Sequence, residues 1–305
     1  MKIDNSRSFT ETDFAIESPT SVALFVHWSK NDEISNHDLH IIDSLSKEFQ
    51  KVLVISNSNT NSFSKIMKSN ELAENIYFIS RPNEGYDFGA YQFGMNLLNE
   101  YSHQITELLL MNNSVFLIKE SLSEVMERVR ANVADITGLT NSNERRPHIQ
   151  SYFLFFGPCI IQDSVLWTWF EGLNTINDKQ ATVDSLEIPL MEELSRLGFE
   201  ISSVWKFSLL NEFMFSSSAA NILGEFRRES GVTYRLRSMK KGQFHNPTHY
   251  MWAYLIELGF PFIKKDLLRS NALSNLGHSR WPAYVKSETL QALISDELKL
   301  SSQRG

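Results

Sequence analysis

Four short apolar runs, separated by stretches of helical spacing, constrain this chain more than any other feature. They are Ser21-Val-Ala-Leu-Phe-Val-His-Trp28, Lys51-Val-Leu-Val-Ile-Ser56, Asn75-Ile-Tyr-Phe-Ile-Ser80 and Glu107-Leu-Leu-Leu-Met111. Each is continuous rather than alternating, as expected of a strand buried on both faces of a parallel sheet. After the first run, Leu39, Ile42, Leu45 and Phe49 keep helical spacing, with Ser35 and Asp38 as a capping pair. A Ser/Asn-rich loop and a short helix to about Ala73 follow the second. Before the fourth, Phe88, Tyr91, Met95 and Leu98 mark a helix that Asp87 would cap. Alternating strands and helices imply parallel pairing through crossovers. Ligands of such sheets lie beyond the carboxyl ends of the strands.

Beyond Ser114 the pattern changes. Helices are expected at Glu120–Ala131, Asp163–Leu173, Leu190–Leu197, Pro247–Leu258 and Pro282–Leu298, with strands at Ala134–Leu139, Gln150–Phe156 and Glu200–Trp205. Residues 208–244 carry no clear pattern. The expected organisation is a loose arm at 1–20 and one domain at 21–305, split into a nucleotide-binding half (21–116) and an acceptor-binding half (117–305).

The net charge of -7 argues against sequence-independent nucleic-acid binding. A single cysteine, Cys159, excludes an internal disulfide and suits a reducing compartment; its apolar surroundings predict a buried, inert thiol. The stretch Met1–Thr20 is polar, without a signal-peptide pattern, and no apolar run approaches the ~18 residues of a membrane span. The expected location is the cytoplasm.

The chemistry concentrates in a few stretches. Arg81-Pro-Asn83-Glu-Gly85 forces a turn, and Gly85-Tyr86-Asp87-Phe88-Gly89 reads equally as a loop gripping a nucleoside or as a capped helix start. Asn112-Asn113-Ser114 closes the fourth run with polar groups. His245, His249, Lys264, Lys265 and Arg269 gather basic groups near the end of the chain.

These residues also carry a family resemblance. Arg81-Pro-Asn-Glu-Gly-Tyr-Asp-Phe-Gly-Ala-Tyr91, Leu110-Met-Asn-Asn-Ser-Val115, His148-Ile-Gln-Ser-Tyr-Phe153, Asn246-Pro-Thr-His-Tyr-Met-Trp252 and Phe260–Asn271 resemble the rhamnan synthesis protein F family of bacterial polysaccharide glycosyltransferases. The resemblance covers roughly residues 20–280. It implies an α/β fold of the GT-A-like, Rossmann-type nucleotide-sugar-binding kind, with a mainly parallel central sheet flanked by helices. The implied activity is transfer of a sugar, rhamnose by the family's name, from a UDP- or dTDP-sugar to a glycan of the bacterial surface, O-antigen or capsule. Such acceptors are lipid-linked, which would bring the protein to the inner face of the membrane or to a synthase complex. No basic amphipathic helix strong enough for an anchor is visible.

The resemblance also assigns roles. Asn83, Gly85, Tyr86, Asp87 and Gly89 would bind the donor with Asn112, Asn113, Ser114, His249, Lys264 and Arg269. Glu187, on a loop that opens a helix followed by a strand, looks like the catalytic carboxylate of inverting GT-A enzymes, with Asp184 the nearest competitor. Family members commonly have Asn-Asp-Ser where this chain has Asn112-Asn113-Ser114. Position 113 is therefore a weak metal ligand, since an amide oxygen binds Mg2+ or Mn2+ less well than a carboxylate. Either other groups hold the ion or basic side chains replace it. Two alternatives remain: a non-catalytic nucleotide-sugar-binding subunit of a synthase complex, and an α/β nucleotide or phosphate-ester hydrolase, which would want clustered carboxylates.

Overall fold

The computed structural model describes residues 14–58, 72–142, 146–174, 176–219, 246–269 and 278–302. The four apolar runs form β1 (Thr20–His27), β2 (Lys51–Ser56), β3 (Ile76–Ser80) and β4 (Ile105–Asn112), parallel and in the order β3-β2-β1-β4. Both faces of this half are covered, which is why the runs are continuous. Ala23 and Phe25 of β1 and Leu109 and Met111 of β4 enter one core. Val22, Leu24, Val26, Leu108 and Leu110 enter the other.

Then come β5 (Val115–Leu117), β6 (Ile136–Ser142), β7 (His148–Ile149), β8 (Phe153–Phe156), β9 (Ile201–Trp205) and β10 (Phe262–Lys264). β8 runs antiparallel between β4 and β6, and β9 lies parallel on the far side of β6. β5 and β10 form a separate antiparallel pair. The central sheet is therefore mixed, parallel across β1–β4 and flanked by helices, in keeping with the expected α/β fold.

Helices α1 (Asn36–Glu48), α2 (Tyr86–Asn99), α3 (Ser123–Arg130), α4 (Ser164–Glu171), α5 (Ile188–Arg196), α6 (Phe207–Met214), α7 (Trp252–Glu257), α8 (Lys265–Arg269) and α9 (Glu288–Ser302) flank it. The first core takes Ile41 and Leu45 of α1, Val125 and Val129 of α3, and Leu210 of α6. The second takes Phe88, Tyr91 and Met95 of α2, Trp167 and Phe170 of α4, and Leu190 and Leu194 of α5.

Several expectations are corrected. The arm is not loose throughout: Phe14 and Ile16 are buried in the second core, and Phe14 packs edge-on to Tyr77 at 5.0 Å. Cys159 is exposed, because the turn Pro158–Ile161 sends Ile160 and Ile161 inward and leaves the thiol outside. The helix expected at Pro247–Leu258 breaks at Met251, whose φ of -131° is not helical, and both Met251 and Trp252 are buried in the core. Pro282 lies in a 3-10 turn (His278–Tyr284), and α9 starts later, at Glu288. The short helix expected before Ala73 falls mostly outside the described residues, as do His245 and most of 208–244. Among the described residues no helix is long and apolar enough to cross a membrane.

Candidate functional site

From β1 the chain moves outward to β2 and β3, then returns to β4 on the other side of β1. This reversal makes the carboxyl ends of β1 and β4 the topological switch point of the sheet, the place where open α/β sheets take ligands. Trp28 and Ser29 leave β1 there, Asn112, Asn113 and Ser114 leave β4, and α2 begins nearby.

The start of α2 is a built turn rather than a side-chain cap. Gly85 occupies the N-cap at φ 73° and Tyr86 follows at φ 51°, so two successive residues are left-handed. Glycine adopts that region without cost; for tyrosine it is strained. The turn is tied down on all sides. Asn177 Oδ1 accepts from the Gly85 N–H (2.7 Å), and Asn57 Nδ2 donates to the Tyr86 carbonyl (3.0 Å). Arg81 donates to Asn57 Oδ1 (2.7 Å) and to the Glu84 carbonyl (2.9 Å). At Gly89 a β-carbon would lie 2.0 Å from the Glu84 carbonyl oxygen, so only glycine lets the turn close. Asp87 does not cap α2; its Oδ2 accepts from Asn112 Nδ2 (2.9 Å), tying the helix start to the end of β4. Asn83 and Tyr86 are exposed on this turn.

The second carboxylate arrives from far along the chain. A π-helical turn (Val183–Glu187) delivers Glu187 to the N-terminus of α5, and Gly198, at φ 97°, ends that helix before β9. Glu187 Oε1 accepts from the Ser151 N–H (2.7 Å); Oε2 has no hydrogen-bond partner among the described residues. Tyr91 donates to the Ser151 carbonyl (3.1 Å). Burial pushes the Tyr91 phenol well up, and the charges of both Asp87 and Glu187 push it further. The two carboxylates therefore share one neighbourhood around Tyr91, in front of Asn112. Tyr152, whose phenol burial also pushes up, lies within reach of the Glu187 charge. Asp184 is exposed in the same π turn.

A cation completes the edge. β10 brings Lys264 Nζ to 3.1 Å from Ser114 Oγ and 4.2 Å from the centre of the Tyr152 ring. The groups at 112–114 do not suit a divalent ion. Asn113 Nδ2 donates to the Trp28 carbonyl (3.0 Å) and to Asp38 Oδ2 (3.0 Å), and its Oδ1 accepts from the Trp28 N–H (3.2 Å). Asn112 Oδ1 accepts from the Ser114 N–H (3.1 Å). A hard cation needs charged or open oxygens; here the amides are engaged and an ammonium already sits at the hydroxyl. Asn113, the candidate metal ligand, here has its amide engaged as a clamp on Trp28.

Two more candidates are elsewhere engaged. Arg269 bonds Glu297 of α9, and His249 Nε2 lies 3.1 Å from Asp266 Oδ1. Arg269 belongs to a buried charge cluster beside this edge that the sequence did not reveal. Lys265 Nζ stands 2.7 Å from both Asp38 Oδ1 and Glu297 Oε1, and Ser35 Oγ donates to Glu297 Oε2 (2.6 Å). His37, Asp38 and Glu297 could together hold a cation, and the Lys265 ammonium occupies that role.

Beside this cluster, burial pushes the imidazoles of His27 and His37 down, His37 to about 4. The unfolded chain takes up protons at these residues below about pH 6.5, whereas the folded chain resists until far lower. Stability is therefore expected to fall as the pH drops from about 6.5 toward 4, by about 3 kcal/mol from His37 alone at 1.36 kcal/mol per unit. Urea unfolding at pH 7 and pH 4.5 checks this; equal stabilities would mean that neither imidazole is held neutral.

Relatives place the chain. The model of the family described as rhamnan synthesis protein F matches residues 52–227, more than half of the sequence. The chain belongs to that family. Virulence protein VirA of Vibrio anguillarum is 28% identical over 260 residues, 84% of this chain and 81% of VirA. Protein y4gN of Sinorhizobium fredii, uncharacterized, is 33% identical over 141 residues, 45% of this chain and 37% of y4gN. Among solved structures, HddC of Yersinia pseudotuberculosis overlaps 61% of this chain and 90% of its own, with TM-score 0.40 and 7% identity. So loose an overlap carries no argument. The sequence blocks quoted above meet in space: Asp87, Asn112–Ser114, Ser151 and Lys264 lie along one edge.

Proposed function

We propose that this rhamnan synthesis protein F family member is a glycosyltransferase that moves a sugar, rhamnose, from a UDP- or dTDP-sugar to a lipid-linked glycan of the bacterial surface. The observation that carries the reading is that three distant parts of the chain converge on the carboxyl end of β4, Asp87 at Asn112, Lys264 at Ser114 and Glu187 at Ser151 just before the neighbouring β8. The family's description supports the substrate class.

In this reading the reaction is a single inverting displacement. The Glu187 carboxylate takes the proton of an acceptor hydroxyl as its oxygen attacks the anomeric carbon. The bond from that carbon to the diphosphate oxygen breaks, and the leaving diphosphate's charge builds where Lys264 and the Ser114 hydroxyl stand. Asp87 and Asn112 hold the start of α2 against the end of β4. The acceptor would lie in a cleft of about 490 Å3 at the ends of β6 and β9, lined by Asn141, Ile149, Ser203, Lys206 and Phe207. Hydroxyl and amide groups beside one aromatic ring suit a glycan. Ile149 stands two residues before Ser151, the partner of Glu187.

Lys264 supplies the positive charge that a divalent ion would otherwise bring. UDP or dTDP at 100 times its dissociation constant is expected to stabilise the protein by roughly 2.7 kcal/mol, equally with and without EDTA. Thermal-shift titration checks this. Binding abolished by EDTA and restored by Mn2+ would overturn the role of Lys264; no shift with any nucleotide would overturn the donor reading.

A further inference from the structure

Trp28 is the residue at the switch point that the proposed chemistry leaves unused. Its indole is 46% exposed, although tryptophan is usually among the more buried side chains. Its backbone, by contrast, is fixed on both sides. Asn113 accepts from the Trp28 N–H and donates to the Trp28 carbonyl, while Ser58 Oγ accepts from the Ser29 N–H (2.7 Å) and donates to the Ser29 carbonyl (3.0 Å). The ends of β2 and β4 thus grip the loop that leaves β1 and hold out one aromatic ring.

Only an amide can do what Asn113 does. It donates and accepts in the same clamp, and its third bond goes to the buried Asp38 carboxylate. An aspartate there would lose both donated bonds and set a second carboxylate against Asp38. The amide at 113 is thereby accounted for by the loop it positions.

The order of groups along the edge says what the ring meets. β8, β4 and β1 are adjacent strands, so neighbouring ends are spaced by about 4.8 Å. Glu187 stands at the Ser151 end of β8, Lys264 and Ser114 at β4, and Trp28 at β1. A nucleotide sugar laid along this edge, with its anomeric carbon at Glu187 and its diphosphate at Lys264, carries its base toward Trp28. Resting on the donor reading above, we infer that Trp28 is a stacking platform for the base of the donor nucleotide, and that Asn113 is the residue that positions it.

The test uses UDP, dTDP and inorganic pyrophosphate as probes, titrated by calorimetry against the whole chain. W28A is expected to weaken UDP and dTDP by about 5- to 140-fold, the range of one base–aromatic stack, and to leave pyrophosphate unchanged. W28F should restore most of the loss. N113D should also weaken both nucleotides, but add little in the W28A background, because the two residues act through one contact. Melting temperatures establish that each variant folds. If the unaltered protein binds UDP or dTDP and W28A binds them equally well, the stacking role is overturned while the donor site stands. If W28A weakens pyrophosphate as much as UDP, Trp28 acts on the phosphates and the inference is again wrong. If the unaltered protein binds neither nucleotide, the donor reading falls and this inference with it.

Discussion

Glu187→Gln is expected to lower turnover by about 10² to 10⁴, the usual contribution of a general base. Donor affinity should hardly change, because in the proposed reading Glu187, bonded at Ser151, meets the acceptor hydroxyl, while Lys264, beside Ser114, meets the diphosphate. Folding should hardly change either. Glutamine keeps a carbonyl oxygen that can still accept the Ser151 N–H, and the helix-dipole contribution of a charge at the start of α5 is about 0.3–1 kcal/mol. A purely structural Glu187 would show the opposite pattern, with some stability lost and turnover kept. Full turnover in this variant would move the base to another carboxylate, Asp184 being next in the same π turn.

The second large effect is on the fold. Lys265→Met should destabilise the protein by about 3–5 kcal/mol, the cost of breaking a buried ion pair by removing one partner. Lys265 is 3% exposed and lies 2.7 Å from two carboxylates. Burial alone would push the Asp38 carboxyl up; the Lys265 ammonium, with His27, overrides this and holds it down at about 2. That contribution is present above the unfolded carboxyl's range and is lost as the pH falls from about 4 toward 2. Without Lys265 the loss should begin at higher pH. The triple change Lys265→Met, Asp38→Asn and Glu297→Gln should recover much of the stability, since the one charge it leaves without its partner, Arg269, is 36% exposed and reached by water. Urea unfolding of the single and triple variants checks this, and a loss below about 1 kcal/mol for Lys265→Met would mean that water reaches the cluster.

The parallel half was legible because its signals are local. The runs of β1, β2, β3 and β4 are continuous for the same reason that alternate residues enter two cores. The α5–Gly198–β9 unit was readable from a periodic helix stopped by a glycine. What escaped depends on contacts between residues distant in sequence. Asp38, Lys265 and Glu297 look like ordinary surface charges on amphipathic helices until folding stacks α1, α8 and α9. Arg269 reads as a ligand of the nucleotide-sugar donor because nothing local betrays its partner, Glu297. Trp28 closes an apolar run and so looked like core, yet the strand ends at His27 and the ring is left outside. Asn113 read as a weakened metal ligand because its clamp on Trp28 spans 85 positions.

The proposed site lays a nucleotide sugar along the ends of β1 and β4 with its anomeric carbon at Glu187. The most direct measurement is a crystal structure of the protein soaked with a UDP- or dTDP-sugar. Density for the diphosphate is expected within hydrogen-bond reach of Lys264 and Ser114, with the base against Trp28 and the sugar facing Glu187. A donor bound at the cleft between β6 and β9, or one whose sugar points away from Glu187, would contradict this placement.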